Sequence, residues 1–331
     1  MSKLIRFVAL TYLVLTITCL TRAELNQSTN PISTARFTWY DSRRDRDVPV
    51  KIYSPATSPA PCPIIIFSHG LGGTRDTYEY LGRHWASHGY FVVHVQHLGS
   101  DDAVWRDAGL FRGMAAMRKA VADPRNAINR PKDVSFVIDE LERLNREKSP
   151  YQQQLDLNRI GVAGHSFGAF TALAIAGQAF APTANPQSSR ADARVKAIVP
   201  MSAPAPANKR RLDESYANVR IPCFHMTGTK DTSPIGDTTP EERRMPFDHC
   251  KNSDQFLLTF KDGDHMLFSG RDRRPSKQER KYQELICESS TAFWNAYLRN
   301  DAAAKAWLTN KFKAELGTNG TFEMKLPSER Q

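Results

Sequence analysis

Two cofactor signatures are missing from this sequence. Gly161, Gly164 and Gly168 lie between an expected strand and an expected helix, yet they lack the G-x-G-x-x-G spacing of a dinucleotide fingerprint. His84 and His88 stand four apart, but the intervening Trp-Ala-Ser carries no glutamate for an H-E-x-x-H pair, so no metal and no cofactor is expected. The N-terminal apolar run, Phe7 to Leu20, is too short to span a membrane. No internal repeat is present, which excludes a solenoid or an array. Cysteine is sparse, with 5 in 331 residues.

What is present is the composition of a soluble globular protein, 40% hydrophobic and 24% charged, with material for a large core. The first residues depart from it. Lys3 and Arg6 precede the apolar run and Thr21-Arg22-Ala23 follows, the order of an export signal over residues 1–23 cleaved after Ala23. Lipid attachment at Cys19 fits less well, because Thr16-Ile17-Thr18 is a poor small-residue box. Cleavage would remove Lys3, Arg6 and Arg22 and lower the formal charge from +10 to +7. Part of the basic excess therefore belongs to targeting, and a secreted or periplasmic protein without a nucleic-acid partner is expected. Of the remaining cysteines, Cys62, Cys223, Cys250 and Cys287, the pair Cys250 and Cys287 flanks the last expected strand and helix and is the favoured disulfide. The alternative is four small buried hydrophobes.

Beyond that leader, strand and helix patterns alternate. Residues 37–40 and 48–53 read as an antiparallel hairpin around a charged turn. Residues 64–67, 91–95, 160–163, 196–200, 223–227 and 256–260 read as buried strands, with helices expected over 78–87, 134–146, 167–177 and 282–299. Such alternation builds βαβ units and a mostly parallel sheet. In residues 101–122, Val104, Ala108, Phe111, Ala115 and Met117 recur at helical spacing after the fourth strand, where the segment could wall a cleft or serve only as scaffold. The tail over 313–331 is expected to be loosely held.

The chemistry centres on Gly164-His165-Ser166-Phe167-Gly168, a G-x-S-x-G pattern at a strand-to-helix junction. A serine hydroxyl becomes a nucleophile when a base takes its proton and a third group orients that base. Among nine histidines, His265 follows an expected strand through Lys261-Asp-Gly-Asp, which brings it to the sheet edge that holds Ser166. His94 and His225 fall inside strands, His165 should point away, and His69 reads as a loop brace. The acid expected between serine and histidine is Asp231, in Gly-Thr-Lys-Asp231 after a strand, with Asp237, Asp248 and Asp254 left as alternatives. Asp264 reads as a turn former. Two amide hydrogens must meet the developing oxyanion. Phe167, opening a helix, offers one, and Leu71 in the loop Ser68-His-Gly-Leu-Gly-Gly offers the other.

These parts together resemble the α/β-hydrolase superfamily. More narrowly, Phe-Ser-His-Gly-Leu-Gly-Gly at 67–73, Ala-Ser-His-Gly-Tyr-Phe-Val-Val at 86–93, Asp-Val-Ser-Phe-Val-Ile-Asp-Glu-Leu at 133–141 and Gly-His-Ser-Phe-Gly-Ala resemble platelet-activating-factor acetylhydrolases and their bacterial relatives. Those relatives are often labelled dienelactone-hydrolase-like, although true dienelactone hydrolases carry cysteine where this chain has Ser166. The resemblance implies one α/β-hydrolase domain over 24–312, a central sheet of about eight strands with helices on both faces, and cofactor-free hydrolysis of short acyl or lipid-like esters. It assigns Ser166, Asp231 and His265 as triad and Leu71 and Phe167 as oxyanion donors. Residues 232–249 depart from the family and leave acyl group and alcohol open. Polyester hydrolase, peptidase or acyltransferase activity would suit the same scaffold, and a non-catalytic binding protein is the rival of another class. The basic stretch at 271–281 could meet a lipid or polymer surface, though a solvated loop explains it as well. Nothing in the sequence sets the oligomeric state.

Overall fold

Alternation within single strands divides the molecule into layers. Successive strand residues face opposite sides of a sheet, so in β3 (Cys62–Ser68) Ile65 and Phe67 enter one core while Ile64 and Ile66 enter the other. The computed structural model describes residues 30–58, 61–109, 112–179, 190–206, 208–270 and 274–327. The expected export segment, Cys19 and Phe111 lie outside these.

The remaining strands are β1 (Ile32–Asp41), β2 (Arg46–Pro55), β4 (Phe91–Val95), β5 (Leu155–His165), β6 (Val195–Met201), β7 (Cys223–Lys230), β8 (Gln255–Asp264) and β9 (Gly320–Lys325). They form one nine-stranded sheet in the order β1-β2-β4-β3-β5-β6-β7-β8-β9. The strands from β4 to β8 pair in parallel, and antiparallel β1-β2 and β9 close the two edges. This is the α/β architecture expected from the alternation, with one strand more than the sequence suggested.

Helices in chain order are α1 (Glu79–Ser87), α2 (Ala103–Arg106), α3 (Gly113–Ala122), α4 (Pro124–Arg146), α5 (Phe167–Ala176), α6 (Leu212–Tyr216), α7 (Met245–His249), α8 (Lys277–Leu298), α9 (Ala302–Asn310) and α10 (Phe312–Leu316). One face of the sheet is covered by Trp85 of α1 and by Phe293 and Trp294 of α8. Val134, Ile138 and Leu141 of α4 and Ala169 and Leu173 of α5 cover the other. Each such fully buried Val, Leu, Ile or Phe side chain contributes roughly 1.5–3 kcal/mol relative to exposure. Helix α4 starts ten residues before the expected helix at 134–146. Asp123 caps it by accepting from the Arg125 amide, and the helix tolerates Pro131 in its interior.

Two expectations are corrected here. The tail was expected to be loose beyond Lys313, but Phe312 and Leu316 of α10 are buried and β9 pairs with β8 from Gln255–Lys325 to Phe260–Gly320. Phe322 supplies the anchor, reaching Phe312 and Phe224 across the core. The Cys250–Cys287 disulfide is not formed: all four described cysteines are free and buried. The sheet explains why. Cys287 packs in the core on one face, whereas Cys250, Cys223 and Cys62 pack in the core on the other.

The chain leaves β3 toward β4 on one side and arrives at β5 on the other, so the carboxyl ends of β3 and β5 border a topological switch point. In open parallel sheets, ligands bind at such a crevice.

Candidate active site

The loop after β3 and the turn after β5 both empty into that crevice. Ser166 stands between β5 and α5 with φ 56° and ψ −116°, a backbone conformation a non-glycine residue rarely holds. Its amide donates to Met201 O at 2.9 Å, which ties the turn to β6. Glycine is required on both flanks: a Cβ on Gly164 would sit 2.3 Å from Gly168 O, and one on Gly168 would sit 1.9 Å from Ser68 O.

His265 and Asp231 arrive from the ends of β8 and β7. His265 Nε2 lies 3.0 Å from Ser166 Oγ, and His265 Nδ1 lies 2.7 Å from Asp231 Oδ1. The shorter bond to a carboxylate assigns the hydrogen to Nδ1, which leaves Nε2 as the acceptor for the serine hydroxyl. Asp231 is fully buried, its Oδ2 accepts from Thr227 Oγ1 at 2.8 Å, and its amide donates to Gly228 O. The strands that carry the two residues touch at their ends. A Cβ on Gly228 would come within 2.1 Å of Gly263 O. Asp264 caps the turn into His265 by accepting from the Met266 and Leu267 amides.

The amides expected as oxyanion donors, those of Phe167 and Leu71, follow β5 and β3 at the same sheet edge. That of Phe167 opens α5 and has no acceptor within the helix. The Leu71 amide makes no backbone hydrogen bond among the described residues. The loop around it is fixed from below. Gly72 donates to Ser100 O at 2.9 Å, and Gly73 donates to Gly70 O at 3.0 Å. His69 braces the loop, its Nδ1 donating to Gly70 O at 2.6 Å and its Nε2 accepting from the His97 amide at 3.0 Å.

The other candidates are placed elsewhere. His165 turns away from the serine hydroxyl, bonding Tyr78 Oη through Nδ1 and His265 O through Nε2. His94 donates to Thr77 O, and His225 pairs with Gln255. His84 is bonded to Thr291 and His88 to the His84 carbonyl, and among the described residues no group of three or more His, Cys, Asp or Glu is placed to hold a metal. Asp248 pairs with Arg244, and Asp254 accepts from Tyr297 and Lys305, so neither serves His265. A cavity of about 520 Å³ beside Asp41, Arg44 and Phe136 touches none of Ser166, Asp231 and His265.

Three residues of the site were missed in the sequence. Arg130 is fully buried under the loop at 68–73, where it donates to His69 O, Ser68 Oγ, Ser100 Oγ and Thr171 Oγ1, with its guanidinium 4.5 Å from the centre of the Phe167 ring. It thus touches both segments that carry Leu71 and Phe167. Behind it, His97 bridges Ser68 Oγ and Asp133, and Arg44 and Arg46 pair with Asp133. Burial, with Arg130 adding to it, pushes His97 down to about 4. For Asp133 burial alone would act upward, but hydrogen bonds from His97 and Arg46 bring it to about 2. At neutral pH the network is therefore a carboxylate, a neutral imidazole and guanidinium groups. Trp105 in α2 donates to Gly72 O at 3.0 Å and packs 2.9 Å from where a Gly72 Cβ would stand, yet 43% of it is exposed. Arg243 is described below. Isolated arginines and a tryptophan in a short helix leave no periodic trace; for Trp105 the only signal was the helical spacing of residues 101–122.

Comparison with known proteins follows the same geometry. The family described as platelet-activating factor acetylhydrolase, isoform II, matches residues 38–106, which include the loop at 68–73 and stop short of Ser166. The solved ferulic acid esterase from Streptomyces cinnamoneus is similar in fold, with a TM-score of 0.58 and 20% identity over 82% of this chain and 91% of that one. That likeness is one of fold, the α/β-hydrolase fold. In sequence, the chain is 29% identical over 153 residues to the platelet-activating factor acetylhydrolase of Cavia porcellus and 26% identical over 151 residues to that of Canis lupus familiaris. Each match covers 38% of this chain, and the chain spans about a third of the length of the relatives, 34% in both cases.

Proposed function

We propose that the protein is a serine esterase that hydrolyses carboxylic esters, with short acyl or lipid-like esters as the substrate class, and that it acts outside the cytoplasm after removal of residues 1–23. The observation that supports the reading is the continuous contact from Ser166 Oγ through His265 to Asp231, 3.0 and 2.7 Å. In this reading Ser166 Oγ attacks the ester carbonyl carbon as His265 Nε2 takes its proton. The oxyanion meets the Leu71 and Phe167 amides. Collapse expels the alcohol, which receives the proton from His265. Water, deprotonated by His265, then releases the acyl group and restores Ser166. Asp231 holds the imidazole in the required tautomer throughout.

A fluorophosphonate tests this directly. It should label Ser166 stoichiometrically, Ser166→Ala should remove the label, and p-nitrophenyl acetate should be hydrolysed by the unmodified protein. Absence of both labelling and turnover would favour a non-catalytic binding protein. A series of p-nitrophenyl esters from acetate to longer chains, run beside a peptide amide, then fixes the acyl preference and separates esterase from peptidase.

A further inference from the structure

Behind the acid and the base stands a third charged side chain. Arg243 lies in the 3₁₀ turn Glu241–Arg244, between the end of β7 and the start of β8. Its side chain is 1% exposed. Nη1 donates to Ser202 O at 2.9 Å and to Ala203 O at 3.1 Å, beyond the end of β6. Nε donates to Asp231 O at 3.1 Å and lies 3.2 Å from Asp231 Oδ1, beyond the end of β7. Nη2 lies 3.2 Å from His265 Nδ1, beyond the end of β8. One planar group therefore reaches three consecutive strand ends.

The chemistry of those contacts defines what the group does. A guanidinium is donor only. If Arg243 donated to Nδ1, the ring hydrogen would move to Nε2 and the imidazole could no longer accept from Ser166. The 2.7 Å bond to Asp231 prevents this by keeping the hydrogen on Nδ1. The carbonyls of Ser202, Ala203 and Asp231 engage Nη1 and Nε, so the arginine is anchored while the carboxylate keeps a guanidinium on one side and the His265 Nδ1–H on the other. Ser202 itself is held at φ 53°, a conformation that persists only where surrounding contacts determine it.

We propose that Arg243 is a positioning residue for the reaction: it locks the loops after β6, β7 and β8 together so that Asp231 and His265 present Nε2 to Ser166. The proposal rests on the esterase reading. In the Arg243→Ala variant, kcat for p-nitrophenyl acetate should fall on the order of 10²-fold, the loss typical of an ångström-scale misplacement, with KM changed less than about threefold. Guanidinium chloride at tens of millimolar should restore activity at least about tenfold by refilling the site, whereas sodium chloride at equal ionic strength should not. Arg243→Lys keeps the charge without the planar fork and should recover less than about a tenth of wild-type kcat. Where Arg243→Ala fails to fold, as judged by circular dichroism, the Lys variant carries the test and must show the same loss with a retained melt. The proposal is overturned by an Arg243→Ala enzyme within threefold of wild type, by rescue with any salt, or by full activity in Arg243→Lys. Failure of the esterase reading looks different, because the wild-type protein would then neither turn over the ester nor take the fluorophosphonate.

Discussion

Ser166 combines the proposed nucleophile with a backbone that only its neighbours permit. Removing its hydroxyl in Ser166→Ala leaves that frame intact, so turnover should fall by on the order of 10⁶ while the melting temperature stays close to wild type. Gly168→Ala is the opposite case. Its added methyl group meets the Ser68 carbonyl at 1.9 Å, and backbone cannot yield as a flexible side chain can. Soluble expression and melting temperature should both drop. Arg130→Met keeps much of the volume and removes the donors to His69 O and to the hydroxyls of Ser68, Ser100 and Thr171. Loss of a well-placed oxyanion donor costs ~10²–10³ in turnover, and a displaced loop should give the lower part of that range, read as kcat at saturating ester. At this scale Ser166, His265 and Asp231 were legible because each ends a strand in a recognisable motif or turn. Arg130 and Arg243 were not, because their importance comes from carbonyls contributed by segments far away in the chain.

Among the elements, α2 and β9 carry the clearest tests. The Trp105 hydrogen bond to Gly72 O holds the loop proposed to supply the Leu71 amide, and part of its indole stays exposed. Trp105→Phe removes the hydrogen bond and keeps most of the apolar face; Trp105→Ala removes both. The Phe variant should lose kcat while keeping KM for long-chain or aryl esters, and the Ala variant should in addition raise that KM about tenfold, the effect of one or two kcal/mol of apolar contact. Truncation after Asn319 deletes β9, exposes the ladder groups of β8 and uncovers the core around Phe322. Urea unfolding should show a loss of a few kcal/mol, roughly one buried aromatic and several backbone hydrogen bonds, and size exclusion should show association through the bared edge. The parallel strands were readable as apolar runs between turns. β9 was hidden by its length, six residues with Phe322 its sole buried position, and the start of α4 by Pro131, which reads as a boundary until the inward-facing Arg130 and Asp133 around it are seen.

At the scale of the whole molecule, acid should unfold the protein through its buried histidines. Burial lowers His69 well below its usual value, His94 to about 3 and His97 to about 4. Each remains neutral in the folded chain at a pH where the unfolded chain, near 6.5, has taken up a proton. Unfolding therefore binds protons, and stability falls as pH drops below about 6.5, continuing to about 4 for His97 and about 3 for His94. The slope should be on the order of 1.4 kcal/mol per pH unit for each histidine, measurable as urea midpoints at pH 7, 6 and 5. Asp133 adds to the loss only further down, between its unfolded value near 3.8 and about 2. A reducing agent should leave the melting temperature unchanged, since the four described cysteines are already free. Histidine count was visible in the sequence, but burial of His69 and His97 follows from the β3 and β4 ends meeting Arg130 and Asp133 of α4, and that of His94 from β4 meeting α1 at Gly82, which pairwise patterns along the chain do not reveal.

The contact between Gly228 and Gly263 also governs motion. Two backbones packed so closely cannot slide past one another, so the turns bearing carboxylate and imidazole travel as one rigid body. Fluctuations that admit or release ligand must then open the gap on the serine side. A nuclear magnetic resonance experiment would see a persistent, strongly deshielded imidazole N–H that exchanges slowly with solvent, alongside a Ser166 environment that samples more than one state.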